Sequence, residues 1–108
     1  MDTYEKTHAL DTFGAGYRTD EEFREELQDM ILIASSEEGG GYDWDVFYVY
    51  WHTKRERYYV ISGSGCSRNW ISDNVDRLGD FEDYSDKTAL KAAIRRDYPW
   101  WSNSRVLE

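Results

Sequence analysis

The chain has 108 residues, of which 22 are acidic and 13 are basic, so its net charge is −9. This length predicts one domain over residues 1–108, and no apolar run is long enough for a transmembrane helix. The N-terminus lacks the basic and apolar pattern of a secretory signal, and the single cysteine, Cys66, cannot form an internal disulfide. We therefore expect a cytoplasmic protein with no membrane partner.

Large aromatic side chains replace the usual aliphatic core residues. Leu, Ile, Val and Phe together supply only 20 residues, a fraction that is typical of disordered chains at high net charge. Five Trp and nine Tyr compensate, because each large aromatic buries roughly 150–250 Å² when packed. We expect a folded domain with an aromatic core, in which some aromatic side chains are left to contact a partner.

The acidic excess lies in the N-terminal part of the chain. Residues 1–45 hold 13 acids and 3 bases, whereas residues 46–108 are close to neutral. Such asymmetry indicates either an interaction surface or a solvated face that favours solubility.

The N-terminal part predicts one acidic helix after a loosely ordered segment, residues 1–18. The helix is predicted over residues 20–34, and Gly-rich residues 35–41 are predicted to form a loop. Its apolar stripe has helical spacing and comprises Phe23, Leu27, Met30, Ile31 and Ala34.

Residues 43–52 and 57–63 predict a β-hairpin, because both segments are rich in aromatic and β-branched residues. A turn centred on Lys54 and Arg55 places Trp51 opposite Tyr58 and Val49 opposite Val60. Both faces of this hairpin are then apolar or aromatic. Either other elements cover both faces, or one face is a binding surface.

The C-terminal part predicts a second helix over residues 86–98, which Pro99 ends. Residues 68–84 fit a short helix or an ordered loop equally well. The helix carries a basic ridge of Lys87, Lys91 and Arg95 at helical spacing, for which we expect salt bridges to the acidic helix. Residues 99–108 form an aromatic tail, and the predicted fold class is α+β.

The hairpin is followed by Gly65, Cys66 and Ser67, and residues 81–84 form an acidic and aromatic stretch before the last helix. Over residues 42–98 this pattern resembles a family of small uncharacterised proteins from phages of actinobacteria, in which an aromatic hairpin runs into Gly-Cys-Ser-Cys. Arg68 stands where that family has its second cysteine, which puts a metal or redox role of the motif in doubt. The resemblance implies a phage origin, a location in the bacterial host cytoplasm and no established activity.

The residues that most often carry catalysis or bind metals do not form a recognisable set. In the predicted register Cys66 lies opposite residue 43, nine residues from His52, which is about 30 Å at strand spacing. Val75 and Arg77 occupy positions where a calcium loop needs oxygen ligands. We therefore predict no catalytic residue, no metal and no cofactor.

Our leading hypothesis is a non-enzymatic phage accessory protein that binds and modulates or inhibits a host protein. Trp and Tyr are the residues that most often anchor protein interfaces. The candidate contact residues are those of one hairpin face and of the tail: Tyr48, Tyr50, Tyr59, Trp100 and Trp101.

The sequence leaves three alternatives open. In the first, the acidic residues imitate a phosphate array and block a host DNA-binding protein; the candidates are Asp20, Glu21, Glu22, Glu25, Glu26 and Asp29, with Glu37 and Glu38 beyond them. In the second, the aromatic surface mediates a homodimer. The third is a small enzyme or metal protein that uses Cys66 or His52. Direct binding of nucleic acid is not expected at a net charge of −9.

Overall fold

In a computed structural model, the described residues form three helices and one four-stranded antiparallel sheet, which confirms the predicted α+β class. The structure describes residues 3–14, 20–40, 43–66, 71, 75 and 77–101. The helices are α1 (Thr3–Phe13), α2 (Glu21–Gln28) and α3 (Lys87–Asp97), and the strands, in the sheet order β1-β2-β3-β4, are β1 (Met30–Gly40), β2 (Asp43–His52), β3 (Arg57–Cys66) and β4 (Glu82–Tyr84). None of the helices described is long and apolar enough to cross a membrane.

The hairpin of β2 and β3 has the predicted register, with Trp51 opposite Tyr58 and Val49 opposite Val60. β3 continues to Cys66, beyond the predicted end at residue 63, because its Gly- and Ser-rich end stays paired with the start of β2. In the turn, Glu56 adopts a left-handed φ of 53° and its N–H donates to the His52 carbonyl at 2.9 Å.

The acidic helix is much shorter than the sequence predicts. It begins after Asp20, whose carboxylate accepts the Glu22 N–H at 2.8 Å, and it ends at Gln28. The predicted helix over residues 29–34 and the predicted loop over residues 35–40 are wrong, because Met30–Gly40 forms strand β1, which pairs with β2 on both sides of an irregularity at Ile33. Residue 41 lies outside the described residues. An apolar run of four or five residues fits either periodicity, and here strand pairing decides the outcome.

The expectation of a loosely ordered N-terminal segment is also wrong for the part that is described, since Thr3–Phe13 forms α1. Ala9 and Phe13 are buried in the core. Gly14 ends the helix in a close approach, because a Cβ there would lie 2.8 Å from a methyl of Leu10. The Gly14 carbonyl accepts a hydrogen bond from Arg24 Nε at 3.1 Å, which ties α1 to α2.

The sheet divides the core into two layers because side chains alternate along each strand. On the face we call the α1 side, Tyr48 and Tyr50 pack with residues of α1, α2 and the segment that includes Phe81. On the opposite face, the α3 side, Phe47 and Val49 pack with α3 and Trp101.

The ambiguous segment 68–84 resolves partly into a 3₁₀ turn over Leu78–Asp80 and the short strand β4, which pairs with Tyr58, Tyr59 and Val60 of β3. Ile71 and Val75 are buried on the α1 side. The other residues of 67–76 lie outside the described part of the chain.

Leu90→Ala should lower the free energy of unfolding by about 2–5 kcal/mol, because Leu90 is fully buried between α3 and the sheet. Lys91→Ala, its neighbour on the partly exposed flank of α3, should change that free energy by no more than about 0.5 kcal/mol. Urea unfolding followed by Trp fluorescence measures both variants. Equal losses would contradict the packing of α3 described above.

Candidate functional site

The three hairpin tyrosines predicted to face a partner lie inside the protein. Tyr48, Tyr50 and Tyr59 are all buried. The ring of His8 lies 4.6 Å from that of Tyr48, and Phe81 packs edge-on to Tyr59 at 6.4 Å. The expectation that this face is exposed is therefore corrected: α1 and the segment that includes Phe81 cover it.

The buried hydroxyl groups of this face are held by a polar cluster. Tyr50 Oη lies 2.7 Å from His8 Nδ1, and Tyr48 Oη donates to Glu37 Oε1 at 2.5 Å. His8 Nε2 lies 3.9 Å from the same Glu37 oxygen. Burial lowers the pKa of His8 below 6.5, although Glu37 and Asp11 act in the opposite direction. A neutral His8 suits a buried position between two tyrosines.

A second buried histidine, His52, joins α2 to the hairpin turn. Its Nδ1 accepts the backbone N–H of Arg55 at 3.1 Å, so its proton lies on Nε2, which is 2.7 Å from Glu26 Oε2. Arg55 binds both oxygens of Glu26, at 2.8 and 2.9 Å. These contacts lower the pKa of Glu26 to about 2, and the hydrogen bonds from Arg55 have the largest effect.

In this arrangement Nε2 of His52 carries the proton and the lone pair of Nδ1 is engaged by the Arg55 N–H. The register also places Cys66 opposite Asp43, at the far end of β2 from His52, as the sequence predicts. The structure describes the backbone of Cys66 but not its side chain. Among the described residues, no three His, Cys, Asp or Glu side chains are grouped in a way that could hold a metal ion.

The predicted acidic array is divided between solvent and internal ion pairs. Asp20, which caps the start of α2, and Glu21, Glu22 and Glu25 within the helix are exposed. The other two acids pair with the hairpin turn instead of with the basic ridge: Glu26 with Arg55, and Asp29, at the end of the helix, with Lys54 at 3.5 Å. The side chain of Glu38 is not described.

A shallow cleft of about 280 Å³ lies between α2 and the 3₁₀ turn. Phe23 is part of its wall, and the charged groups around it include Glu22, Glu26, Arg55 and Arg77. Because Glu26 and Arg55 bind each other, the cleft carries a neutralised pair and not a concentrated charge.

The two tryptophans of the tail have different environments. Trp101 is buried against Phe47, with ring centroids 4.7 Å apart. Trp100 is 58% exposed, and its ring lies edge-on to those of Phe47 and Tyr98, both at 6.3 Å. It is the one large apolar side chain in the described residues that is mainly exposed. Residues 102–108 of the tail lie outside the description.

Four large side chains form a line across the sheet on the α3 side, at the end nearest the hairpin turn. We call them the apolar row: Ile31, Trp51, Tyr58 and Tyr84, each paired with the next across neighbouring strands. All four are partly exposed, and the rings of Trp51 and Tyr58 lie 4.7 Å apart. The predicted register placed Trp51 opposite Tyr58, but the row could not be found while residues 29–34 were predicted as helix.

A family model described as a domain of unknown function, DUF7574, matches residues 24–103. The chain belongs to the DUF7574 family. Comparison with curated proteins and with solved structures gives no match. The DUF7574 region begins within α2 and includes all four strands, α3 and Trp100, whereas α1 precedes it. The apolar row and Trp100 therefore lie within the DUF7574 domain, and His8 lies before it.

Glu26→Gln should flatten the loss of stability of this DUF7574 protein in acid. The ordinary pKa of glutamate is 4.5 and that of Glu26 in the fold is about 2, so the unfolded chain binds the proton first as the pH falls. The stability that Glu26 contributes is present above pH 4.5 and is lost as the pH falls towards 2.

Urea unfolding across that pH window measures the effect. The wild type should lose stability more steeply than Glu26→Gln, and Glu25→Gln, an exposed control on the same helix, should keep the wild-type slope. An unchanged slope in Glu26→Gln would argue against the contacts described for His52 and Arg55.

His8→Gln should flatten a second pH dependence. Because burial lowers the pKa of His8 below 6.5, the unfolded chain is protonated first, and wild-type stability should fall as the pH drops from 6.5 towards the lowered pKa. The same unfolding measurement in this window should show a smaller fall for His8→Gln. Lys6→Gln, an exposed neighbour on α1, should behave like the wild type; identical curves for all three proteins would contradict the burial of a neutral His8.

Proposed function

We propose that this DUF7574 protein is a non-enzymatic binding protein that contacts a partner protein through the α3 side of its sheet. The observation that carries the proposal is the unequal covering of the two faces. On the α1 side, Tyr48, Tyr50 and Tyr59 are buried. On the α3 side, the apolar row is only partly covered, and Trp100 is 58% exposed.

These exposed groups have the character of interface anchors. Trp and Tyr dominate the residues whose truncation costs most at protein interfaces. A single exposed apolar side chain is ordinary, whereas adjacent exposed apolar side chains mark interaction sites. The apolar row runs across four strands on the face that also carries Trp100. The engagement of both His52 nitrogens further supports binding over catalysis.

The biological setting of the proposal comes from the sequence resemblance. Gly65 and Cys66 after the hairpin, with residues 81–84 before α3, support a phage origin. On that basis the protein would act in the cytoplasm of an actinobacterial host, where it would modulate or inhibit a host protein.

The distribution of acids gives less support to nucleic-acid mimicry. Glu26 and Asp29 are committed to Arg55 and Lys54, which removes two of the six acids of the predicted array. The remaining exposed acids lie on α2, whose apolar residues pack on the α1 side of the sheet.

A pull-down from actinobacterial lysate tests the proposal with three tagged proteins: the wild type, Trp100→Ala, and the triple variant Glu21→Gln/Glu22→Gln/Glu25→Gln. The triple variant leaves the Glu26 contacts and the Asp20 cap intact. We expect the wild type and the triple variant to capture the same host protein. Trp100→Ala should capture at least about tenfold less, because loss of an anchoring Trp commonly costs about 2 kcal/mol or more.

Each other result has a definite meaning. Capture that survives Trp100→Ala but fails in the triple variant would replace the proposal by acidic mimicry. A stable dimer in light scattering that Trp100→Ala dissociates would replace it by homodimerisation. Failure of the wild type to capture any host protein would count against it directly.

A further inference from the structure

The basic ridge lies along one flank of α3. The helix packs on the sheet through Leu90 and Ile94. Because an α-helix turns by about 100° per residue, Lys87 and Lys91 lie on the flank opposite to Arg96. Arg96 lies on the flank towards β4, within electrostatic range of Tyr84 and Glu82. The flank with the lysines therefore faces β2 and β1, which carry Trp51 and Ile31.

Two lysines of the ridge, Lys87 and Lys91, make no ion pair among the described residues, a property that they share with Lys6. Five other basic residues each lie within 4 Å of a carboxylate: Lys54, Arg55, Arg57, Arg77 and Arg96. Within the described part of the chain, Lys87 and Lys91 make no such contact, and the predicted salt bridges from the ridge to α2 are absent for both. In a chain of net charge −9, two unpaired cations thus lie on the side of α3 that faces the strands of the apolar row.

We propose that the apolar row and the basic ridge together bind an acidic segment of a partner protein, one whose aromatic or aliphatic side chains alternate with Asp or Glu. The apolar side chains cover Trp51 and Tyr58, and the carboxylates pair with Lys87 and Lys91. This inference rests on the proposed function and adds the chemistry of the partner. Charge complementarity of this kind determines which partner binds more than it adds to the affinity.

Two other occupants fit the same surface less well. A nucleic acid needs many cations to displace its counterions, and the ridge supplies three beside an excess of acid. In a second copy of this chain, the acids of α2 lie on the other side of the sheet from the ridge. A contact between ridge and α2 would then be head-to-tail and would not close into a symmetric dimer.

Selection from a display library of random peptides tests the inference. The baits are the wild type, the variant Lys87→Glu/Lys91→Glu, and the matched control Lys6→Glu/Arg77→Glu, which makes the same change in net charge at two exposed positions away from the ridge. We expect peptides enriched on the wild type to combine Asp or Glu with Trp, Phe or Leu. Fluorescence anisotropy should show binding to the ridge variant weakened at least about tenfold and binding to the control close to wild type.

A second measurement separates the aromatic from the charged contribution. Tyr58→Ala should bind the same peptides about tenfold more weakly, or less tightly still. A thermal unfolding curve close to that of the wild type shows that the variant Lys87→Glu/Lys91→Glu is folded, so that its weaker binding does not come from misfolding. The inference would be overturned if the enriched peptides were neutral or basic. It would also be overturned if the ridge variant and the control bound the peptides equally well. Neither outcome would affect the pull-down result. Competition by oligo-dT would overturn the inference in favour of nucleic acid. An absence of enrichment would also overturn it, and together with a failed pull-down would remove the proposed function.

Discussion

The central strand β2 is apolar on both sides, so the protein has to cover two faces of one sheet with few residues. Two helices and the segment that includes Phe81 cover the α1 side. The α3 side receives one helix of 11 residues, about 16 Å long at the usual rise, whereas ten strand residues extend about 33 Å. α3 therefore cannot cover the full length of β2, and the apolar row marks the end that it leaves partly open.

Closing the α1 side requires a partner for every polar group buried there. The Tyr50 hydroxyl meets this condition through His8, the Tyr48 hydroxyl through Glu37, and His52 through Glu26 and the backbone of Arg55. Among the described residues, no buried side-chain nitrogen or oxygen lacks a hydrogen-bond partner. The polar clusters around His8 and His52 thus satisfy the buried polar groups of the α1 side. The α3 side carries the partly exposed apolar row, Trp100 and two lysines, Lys87 and Lys91, that make no ion pair within the described part of the chain.

Strong local patterns made part of this structure predictable. The hairpin register followed from alternation and one turn, and α3 followed from the spacing of Leu90 and Ile94 and from Pro99. The strand β1 could not be predicted in this way, because its apolar residues also fit a helix. Only pairing with β2 distinguishes a strand from a helix here. The sequence placed Tyr48 and Tyr50 at the surface because α1, the helix that covers them, has no clear apolar stripe and was not predicted. The apolar row depends on β1 and β4 and could not be found without them.

The aromatic side chains form one closed layer, on the α1 side, and one partly open layer, on the α3 side. Hydroxyl-radical footprinting of the free protein, read residue by residue by mass spectrometry, tests this arrangement most directly. We expect fast oxidation of Trp100, intermediate oxidation of Trp51 and Tyr58, and protection of Tyr48 and Tyr50. Oxidation of Tyr48 and Tyr50 as fast as that of Trp100 would contradict it.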